Sequence, residues 1–217
     1  MQTALTLAGL VALLESGANR VKENHELLSR LDSATGDGDH GATMKRTADA
    51  ILESIHNPES IAVQPLLASL GWNVMSVDGG STSPLLGSFF MGMSEAAGEG
   101  EEPDMAALAA MFEGGLAKLR AQTAAKVGDK TMLDALVPAV EALRRAADQG
   151  LGLQAGFAQA AEAASRGAES TQQMQAKFGR ARNLGARTLG HVDPGATSIS
   201  LLFAGFRDGL PADPPAS

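Results

Sequence analysis

Apolar residues recur at helical spacing along most of the chain, and Gly, Pro, Asn and Asp residues separate the amphipathic segments. This pattern predicts eight helices, at about residues 3–29, 41–54, 59–76, 83–96, 105–124, 131–148, 153–169 and 196–208. Ala and Leu, which favour helices, are abundant, and few runs are rich in Val, Ile or Thr. We therefore predict an all-α fold in a single domain over residues 1–217.

Four connections between the predicted helices have an unusual composition. They are the first, third, fifth and seventh, at residues 32–41, 78–83, 128–131 and 180–197. In an up-and-down bundle, all odd-numbered connections lie at the same end. We therefore expect these four segments to converge on one rim. Trp72 and the pair Phe89-Phe90 are expected to pack in the core.

The first connection is strongly acidic. Asp32 is followed by Gly36-Asp37-Gly38-Asp39-His40-Gly41, so three carboxylates fall within eight residues. Carboxylates this close repel one another unless a cation lies between them, and hard oxygen ligands suit Mg²⁺, Ca²⁺ or Mn²⁺. His40 alone offers too little nitrogen for a typical zinc site. The alternative interpretation is an acidic turn that caps helices.

Two familiar motifs are excluded for this loop. It matches the Gly-x-Gly-x-x-Gly pattern of dinucleotide-binding turns, but no β-branched strand precedes it, and two Asp would repel a bare pyrophosphate. An EF-hand that starts at Asp37 would need a bidentate Glu at its twelfth position, where this chain has Ala48. A loop that binds phosphate through a metal remains.

Glycines followed by hydroxyl residues open two of the predicted helices. Gly79-Gly80-Ser81-Thr82-Ser83 opens the fourth, and Gly195-Ala196-Thr197-Ser198 opens the eighth. Glycine allows close approach of a ligand to the backbone, and the first amides of a helix are unpaired donors at the positive end of its dipole. Both starts are candidate phosphate sites, or ordinary helix caps.

The fifth connection reads Gly128-Asp129-Lys130-Thr131-Met132 and resembles no standard phosphate loop. Asp129 or Thr131 is expected to cap the sixth helix, and Lys130 to be solvated. Thr131 and Met132 could contact a nucleoside, although Met132 could equally pack in the core.

The seventh connection is long and carries Arg180, Arg187 and His191. Connections of this length are usually functional or disordered, and the arginine fork suits phosphate oxygens, so Arg180 and Arg187 are the candidate catalytic residues. No Ser-His-Asp arrangement suggests a covalent nucleophile. Clustered carboxylates, helix N-termini and arginines favour phosphoryl transfer.

Composition narrows the partners further. The formal net charge is −8, which argues against nucleic acid or an anionic membrane surface. There is no cysteine, so disulfides are excluded and a cytoplasmic location is the default expectation. Residues 1–14 are moderately apolar, but Glu15 interrupts them and no basic flank precedes them, so they predict an amphipathic helix rather than a signal peptide.

The motifs together resemble a known family. The acidic loop, Gly79-Gly80-Ser81, the run from Gly128 to Leu136 and Gly190-His191-Val192-Asp193-Pro194-Gly195-Ala196 are similar, in the same order, to the nucleotide-binding L subunit of dihydroxyacetone kinases. The resemblance implies a closed up-and-down barrel of eight antiparallel helices with its nucleotide, ADP or ATP, at one rim. It also implies two Mg²⁺ ions, held by Asp32, Asp37 and Asp39.

The remaining candidate residues belong to the nucleotide. Those implied by the resemblance are His40, Thr43, Ser81, Thr82, Met132, Arg180, Asp193, Pro194 and Gly195. The motifs add Gly41, Gly80, Gly128 and Thr131 as candidates.

The resemblance also implies partners. A separate K-type subunit would hold the ketose, dihydroxyacetone or a ketotetrose, and this chain would donate the phosphoryl group. A phosphocarrier of the phosphotransferase system and a second copy of the chain, as a homodimer, are further candidates. Two other classes remain open: a nucleotide-binding regulatory module, and a structural bundle with an incidental divalent site.

Overall fold

The structure is a computed structural model that describes residues 4–58, 62–98 and 102–210. These residues form nine α-helices: α1 (Leu7–Glu23), α2 (His25–Ser33), α3 (His40–His56), α4 (Val63–Met75), α5 (Thr82–Ala96), α6 (Met105–Arg120), α7 (Leu133–Asp148), α8 (Leu153–Ser170) and α9 (Pro194–Asp208). Two 3₁₀ segments, Thr171–Gln173 and Arg180–Thr188, lie between α8 and α9. The described residues contain no strand, only an isolated bridge between Ala4 and Asp104. The all-α prediction is confirmed.

The first predicted helix, at about residues 3–29, is in fact two. The break is at Asn24, whose backbone is non-helical (φ −99°, ψ 13°) and whose side-chain amide donates to the Arg20 carbonyl at 2.8 Å. Such local bonds compete with the helical ladder. The short α2 that follows brings Asp32 into its last turn. The predicted start of the third helix, at Glu59, lies outside the described residues.

Consecutive long helices pack side by side in a ring, with α2 against α3 and α9. Their antiparallel directions show in the close pairs: Gly71 lies against Gly87 in α4 and α5, and Gly167 against Asp134 in α8 and α7. The ring closes where α9 packs back on α1, at Gly205 and Gly17. No described helix is long and apolar enough to cross a membrane.

Phenylalanines fill the centre of the ring. Phe112 contacts four other rings, those of Phe89, Phe157, Phe203 and Phe206, with centroids 5.7 to 6.1 Å away and mostly edge-on. Edge-to-face pairs add about 0.5–1.5 kcal/mol each beyond the burial of their area. The core prediction for Phe89 and Phe90 is confirmed. That for Trp72 is wrong, because its side chain points to the rim and is 59% exposed.

Candidate functional site

A cavity of about 810 Å³ opens at one rim of the ring. All four unusual connections contribute to its lining, so their predicted convergence is confirmed. The predicted site residues that line it are Asp32, Asp37, Asp39, His40, Gly80, Ser81, Thr82, Thr131, Met132, Arg180, Asp193, Pro194 and Gly195. Apolar side chains, among them Trp72, Met75, Leu85 and Met91, line the same cavity.

Three carboxylates gather at this rim. One carboxylate oxygen from each of Asp32, Asp37 and Asp39 lies within 4.8 Å of the others. Asp32 also shapes the loop, because its backbone carbonyl accepts from Gly36 N at 2.5 Å and its Oδ2 accepts from His40 N at 3.2 Å. Gly38 has φ +81°, which only glycine adopts readily. The loop therefore directs all three acids toward one point.

A positively charged side chain of the protein contacts this cluster. The Arg180 guanidinium forms ion pairs with Asp37 and with Asp39, the latter at 3.1 Å. Removal from water raises the pKa of Asp37, but the hydrogen bond and charge of Arg180 outweigh it, so the pKa is lowered overall. The three acids offer hard oxygen ligands within 4.8 Å of one another, so the cluster also suits a divalent cation such as Mg²⁺.

His40 begins α3 behind the cluster and is buried. Its Nε2 lies 2.7 Å from Ser198 Oγ, whose hydroxyl is placed to donate to the Pro194 carbonyl at 3.0 Å. Burial lowers the pKa of His40, against the opposing charge of Asp32, so the ring is neutral near pH 7. His40 thus ties the acidic loop to the start of α9.

The two helix starts at the rim differ. At α9, Asp193 caps the helix by accepting from Ala196 N at 2.7 Å. At α5, the Ser81 side chain at the cap position makes no capping hydrogen bond among the described residues, and Gly79 and Gly80 both have positive φ. A Cβ on Gly80 would meet nothing within 4 Å. Of the two helix starts, that of α5 therefore leaves its first amides free of a capping side chain, and such amides are donors suited to an anion.

The turn before α7 is held by buried charges. Asp134 accepts from Gly128 N at 2.6 Å and from Thr131 N at 2.8 Å. Of the two predicted caps of α7, Thr131 is confirmed, because its Oγ1 accepts from Leu133 N at 3.2 Å. Asp129 does not cap the helix, because its carboxylate accepts from Lys126 N and pairs with Lys177. The prediction that Lys130 is solvated is also wrong, because the residue is only 3% exposed.

Residues 34–208 match the family model described as the DAK2 domain. The chain belongs to the DAK2 domain family.

Similar proteins carry related names. The chain is 36% identical over 178 residues to the ADP-binding subunit DhaL of a PEP-dependent dihydroxyacetone kinase of Escherichia coli K12, covering 82% of this chain and 85% of that one. It is 35% identical over 190 residues to the ADP-binding subunit DhaL of PEP-dependent dihydroxyacetone kinase 1 of Listeria innocua, covering 88% and 90%.

Solved structures of the dihydroxyacetone kinase of C. freundii have the same fold. The complex with AMP-PNP and Mg²⁺ superposes with a TM-score of 0.71 at 28% identity, over 96% of this chain. This chain spans only 35% of that longer protein.

Four candidates lie outside the cavity lining of this DAK2 domain. Gly41 lets α3 approach α2 at the His25 carbonyl, and Thr43 is buried beneath Gly79. Gly128 forms a turn with φ +92°, and Arg187 ends the second 3₁₀ segment. The sequence interpretation missed Asp134, although an acid three residues after Thr131 in a first helical turn was a usable signal.

Proposed function

We propose that this chain is the phosphoryl-donor subunit of a dihydroxyacetone-type kinase, which binds a nucleotide and Mg²⁺ and acts with a separate ketose-binding subunit. The names of its relatives support ADP as the ligand, and the C. freundii complex supports a nucleotide with Mg²⁺. The observation that carries the proposal is the carboxylate cluster with Arg180 at the mouth of a cavity bordered by the uncapped start of α5.

In this proposal, Asp32, Asp37 and Asp39 hold Mg²⁺, two ions when the site is full. Bound there, Mg²⁺ would supply positive charge that neutralises phosphate oxygens. The amides of Ser81 and Thr82 bind phosphate oxygens at the start of α5.

Arg180 donates to the phosphoryl oxygens in the same reaction, where an arginine stabilises the charge of the transition state. The base of the nucleotide occupies the apolar part of the cavity, between Trp72, Met75 and Met91.

Transfer to a ketose hydroxyl needs a general base, and two candidate groups at this rim are already hydrogen-bonded within the chain. Nε2 of His40 is engaged by Ser198, and Lys130 is engaged by two carbonyls. Because the cavity is open, water competes with a sugar hydroxyl for the phosphoryl group. A partner that closes over the rim would bring the ketose, the base and the exclusion of water.

The test begins with the mass of any nucleotide released on denaturing the purified chain. Retained ADP indicates the form that a phosphotransferase-system protein rephosphorylates, and free exchange with ATP indicates a kinase that uses ATP directly. Ketose phosphorylation is then assayed with dihydroxyacetone and erythrulose, with and without a K-type subunit.

We expect activity only with the K-type subunit present. Steady phosphorylation by the chain alone would contradict the proposal that the phosphoryl donor and the ketose are held by separate subunits. Tight nucleotide binding without activity alongside a range of K-type subunits would favour a regulatory module instead. A thermal shift with Mg²⁺ but none with nucleotide would leave only an incidental divalent site.

A further inference from the structure

The turn before α7 grips the segment that carries Arg180. We call residues 171–193, between α8 and α9, the arginine segment. Lys130 Nζ donates to the carbonyl of Thr171 at 2.6 Å and also to the carbonyl of His191. These two carbonyls lie at opposite ends of the arginine segment, so one ammonium group ties both ends together.

The neighbouring residue holds the middle of the same segment. The Asp129 carbonyl accepts from Lys177 N at 3.1 Å, and Asp129 Oδ1 pairs with Lys177 Nζ at 2.8 Å. Lys177 Nζ also donates to the Gly128 carbonyl at 3.2 Å. Arg180 follows three residues after Lys177, so this grip lies close to the guanidinium that reaches the carboxylate cluster.

Lys130 adopts an uncommon backbone conformation to do this. Its φ of +62° is the only positive value at a non-glycine among the described residues. The left-handed region is unfavourable for a residue with a Cβ, so it persists only where the surroundings determine it. Here the two bonds that Asp134 accepts hold the turn on both sides of Lys130.

Burying an ammonium group is unfavourable unless it is well bonded. Burial lowers the pKa of Lys130, and the charges of Asp193 and Asp134 oppose that change. Its two bonds within the described residues go to main-chain carbonyls rather than to these acids. An ammonium group bonded to main-chain carbonyls stabilises the backbone conformation of the segment that carries them.

We propose that Lys130 is a positioning residue that holds the arginine segment against the turn before α7, so that Arg180 is delivered to the Asp37–Asp39 edge of the cavity. The role in nucleotide binding rests on the proposed function. The two hydrogen bonds by which Lys130 holds the arginine segment, which we call the clamp, do not rest on it, because they join parts of this chain alone.

The test variant is Lys130→Met, which keeps the apolar stem and the same demand on the backbone but removes the donors. Hydrogen exchange is measured without any nucleotide. We expect about tenfold faster exchange at the amides of Ala176, Lys177 and Gly190, which are bonded within or to the arginine segment. Lys126→Met, which removes an exposed lysine from the same loop, is the matched control and should leave these rates unchanged.

The second measurement is the affinity for Mg²⁺ with ADP in a double-mutant cycle. Lys130→Met should weaken binding about tenfold in the wild-type background and have little effect once Arg180→Met is present, because coupled residues are non-additive. An equal loss in both backgrounds would mean that Lys130 acts on binding independently of Arg180 and would overturn the positioning role. Unchanged exchange would overturn the clamp.

The two proposals fail in different ways. If the wild-type chain binds no nucleotide, the proposed function fails, while the exchange experiment still decides the clamp. If Lys130→Met does not fold, Lys177→Met removes only the exposed grip in the middle of the segment. It should raise exchange at the amides near Arg180 by a smaller factor, and no rise would contradict the clamp.

Discussion

The guanidinium of Arg180 lies 3.1 Å from Oδ2 of Asp39, although 141 residues separate them along the chain. The second 3₁₀ segment, between α8 and α9, carries Arg180, and the loop between α2 and α3 carries Asp39. The protein therefore neutralises part of its own carboxylate cluster. A divalent cation that binds the same oxygens competes with this guanidinium.

Arg180→Gln should affect metal and nucleotide in opposite directions. Without nucleotide, we expect the cluster to bind Mn²⁺ several-fold more tightly, because a competing cation has been removed. With nucleotide, we expect about tenfold weaker binding of Mg²⁺ with ADP, since charged hydrogen bonds to phosphate contribute about 1.5–3 kcal/mol. Titration calorimetry measures both. Arg182→Gln, an exposed arginine of the same segment, is the control, and unchanged Mn²⁺ affinity in Arg180→Gln would contradict the competition.

Asp37→Ala should abolish metal-dependent nucleotide binding and leave the helical content unchanged. Asp37 is exposed on a loop, so its loss opens no cavity in the core, and an exposed ion pair such as that with Arg180 contributes little to stability. Asp32→Ala should in addition lower the melting temperature, because Asp32 accepts from His40 N.

Circular dichroism and nucleotide titration check both variants against Asp148→Ala, at the far end of α7. Wild-type affinity at saturating Mg²⁺ in Asp37→Ala would remove Asp37 from the metal site.

Asp193→Asn should flatten the pH dependence of stability. Burial raises the pKa of Asp193 to about 7, well above its ordinary value of 3.8. The folded state therefore holds this proton where the unfolded state has released it, and the resulting stability is lost as pH rises from about 4 to about 7. The asparagine variant lacks this loss, so relative to wild type its unfolding free energy should increase across that window.

Urea unfolding at pH 4, 5.5, 7 and 8 measures the difference between the two proteins. Taking the difference removes titrations common to both, such as that of His40. A difference that stays constant with pH would show that Asp193 is ionised throughout in the folded protein.

Gly205→Ala tests the closure of the ring. A Cβ on Gly205 would lie 2.5 Å from the Cα of Gly17 and 2.6 Å from the Ser16 carbonyl, so α9 would have to move away from α1. Overpacking of this kind typically costs about 1–3 kcal/mol. Denaturant unfolding provides the measurement, with Ser200→Ala on the same helix as control. Equal stability of the glycine and alanine forms would mean that the two helices are not in close contact.

The sequence predicts what depends on local signals. The acidic loop, the helix starts and the helical periodicity each lie within a few residues, so the fold class and the converging connections follow from them. Lys130 could not be predicted in this way, because its partners at Thr171 and His191 lie 41 and 61 residues further on. The core prediction for Trp72 is wrong because helical periodicity shows which residues share a face of a helix, but not what packs against that face.

The contact between α1 and α9 has a topological consequence. In a closed ring each helix packs between two neighbours, so the packing does not depend on which helix comes first in the chain. Leu13, in the N-terminal half of α1, lies against Gly209, so the end of α9 lies beside that half of α1. A circular permutant would join the end of α9 to the start of α1 through a linker and begin instead at the Gly150 turn, about 24 Å along α7 from the rim. We expect it to keep the same fold and the same rim.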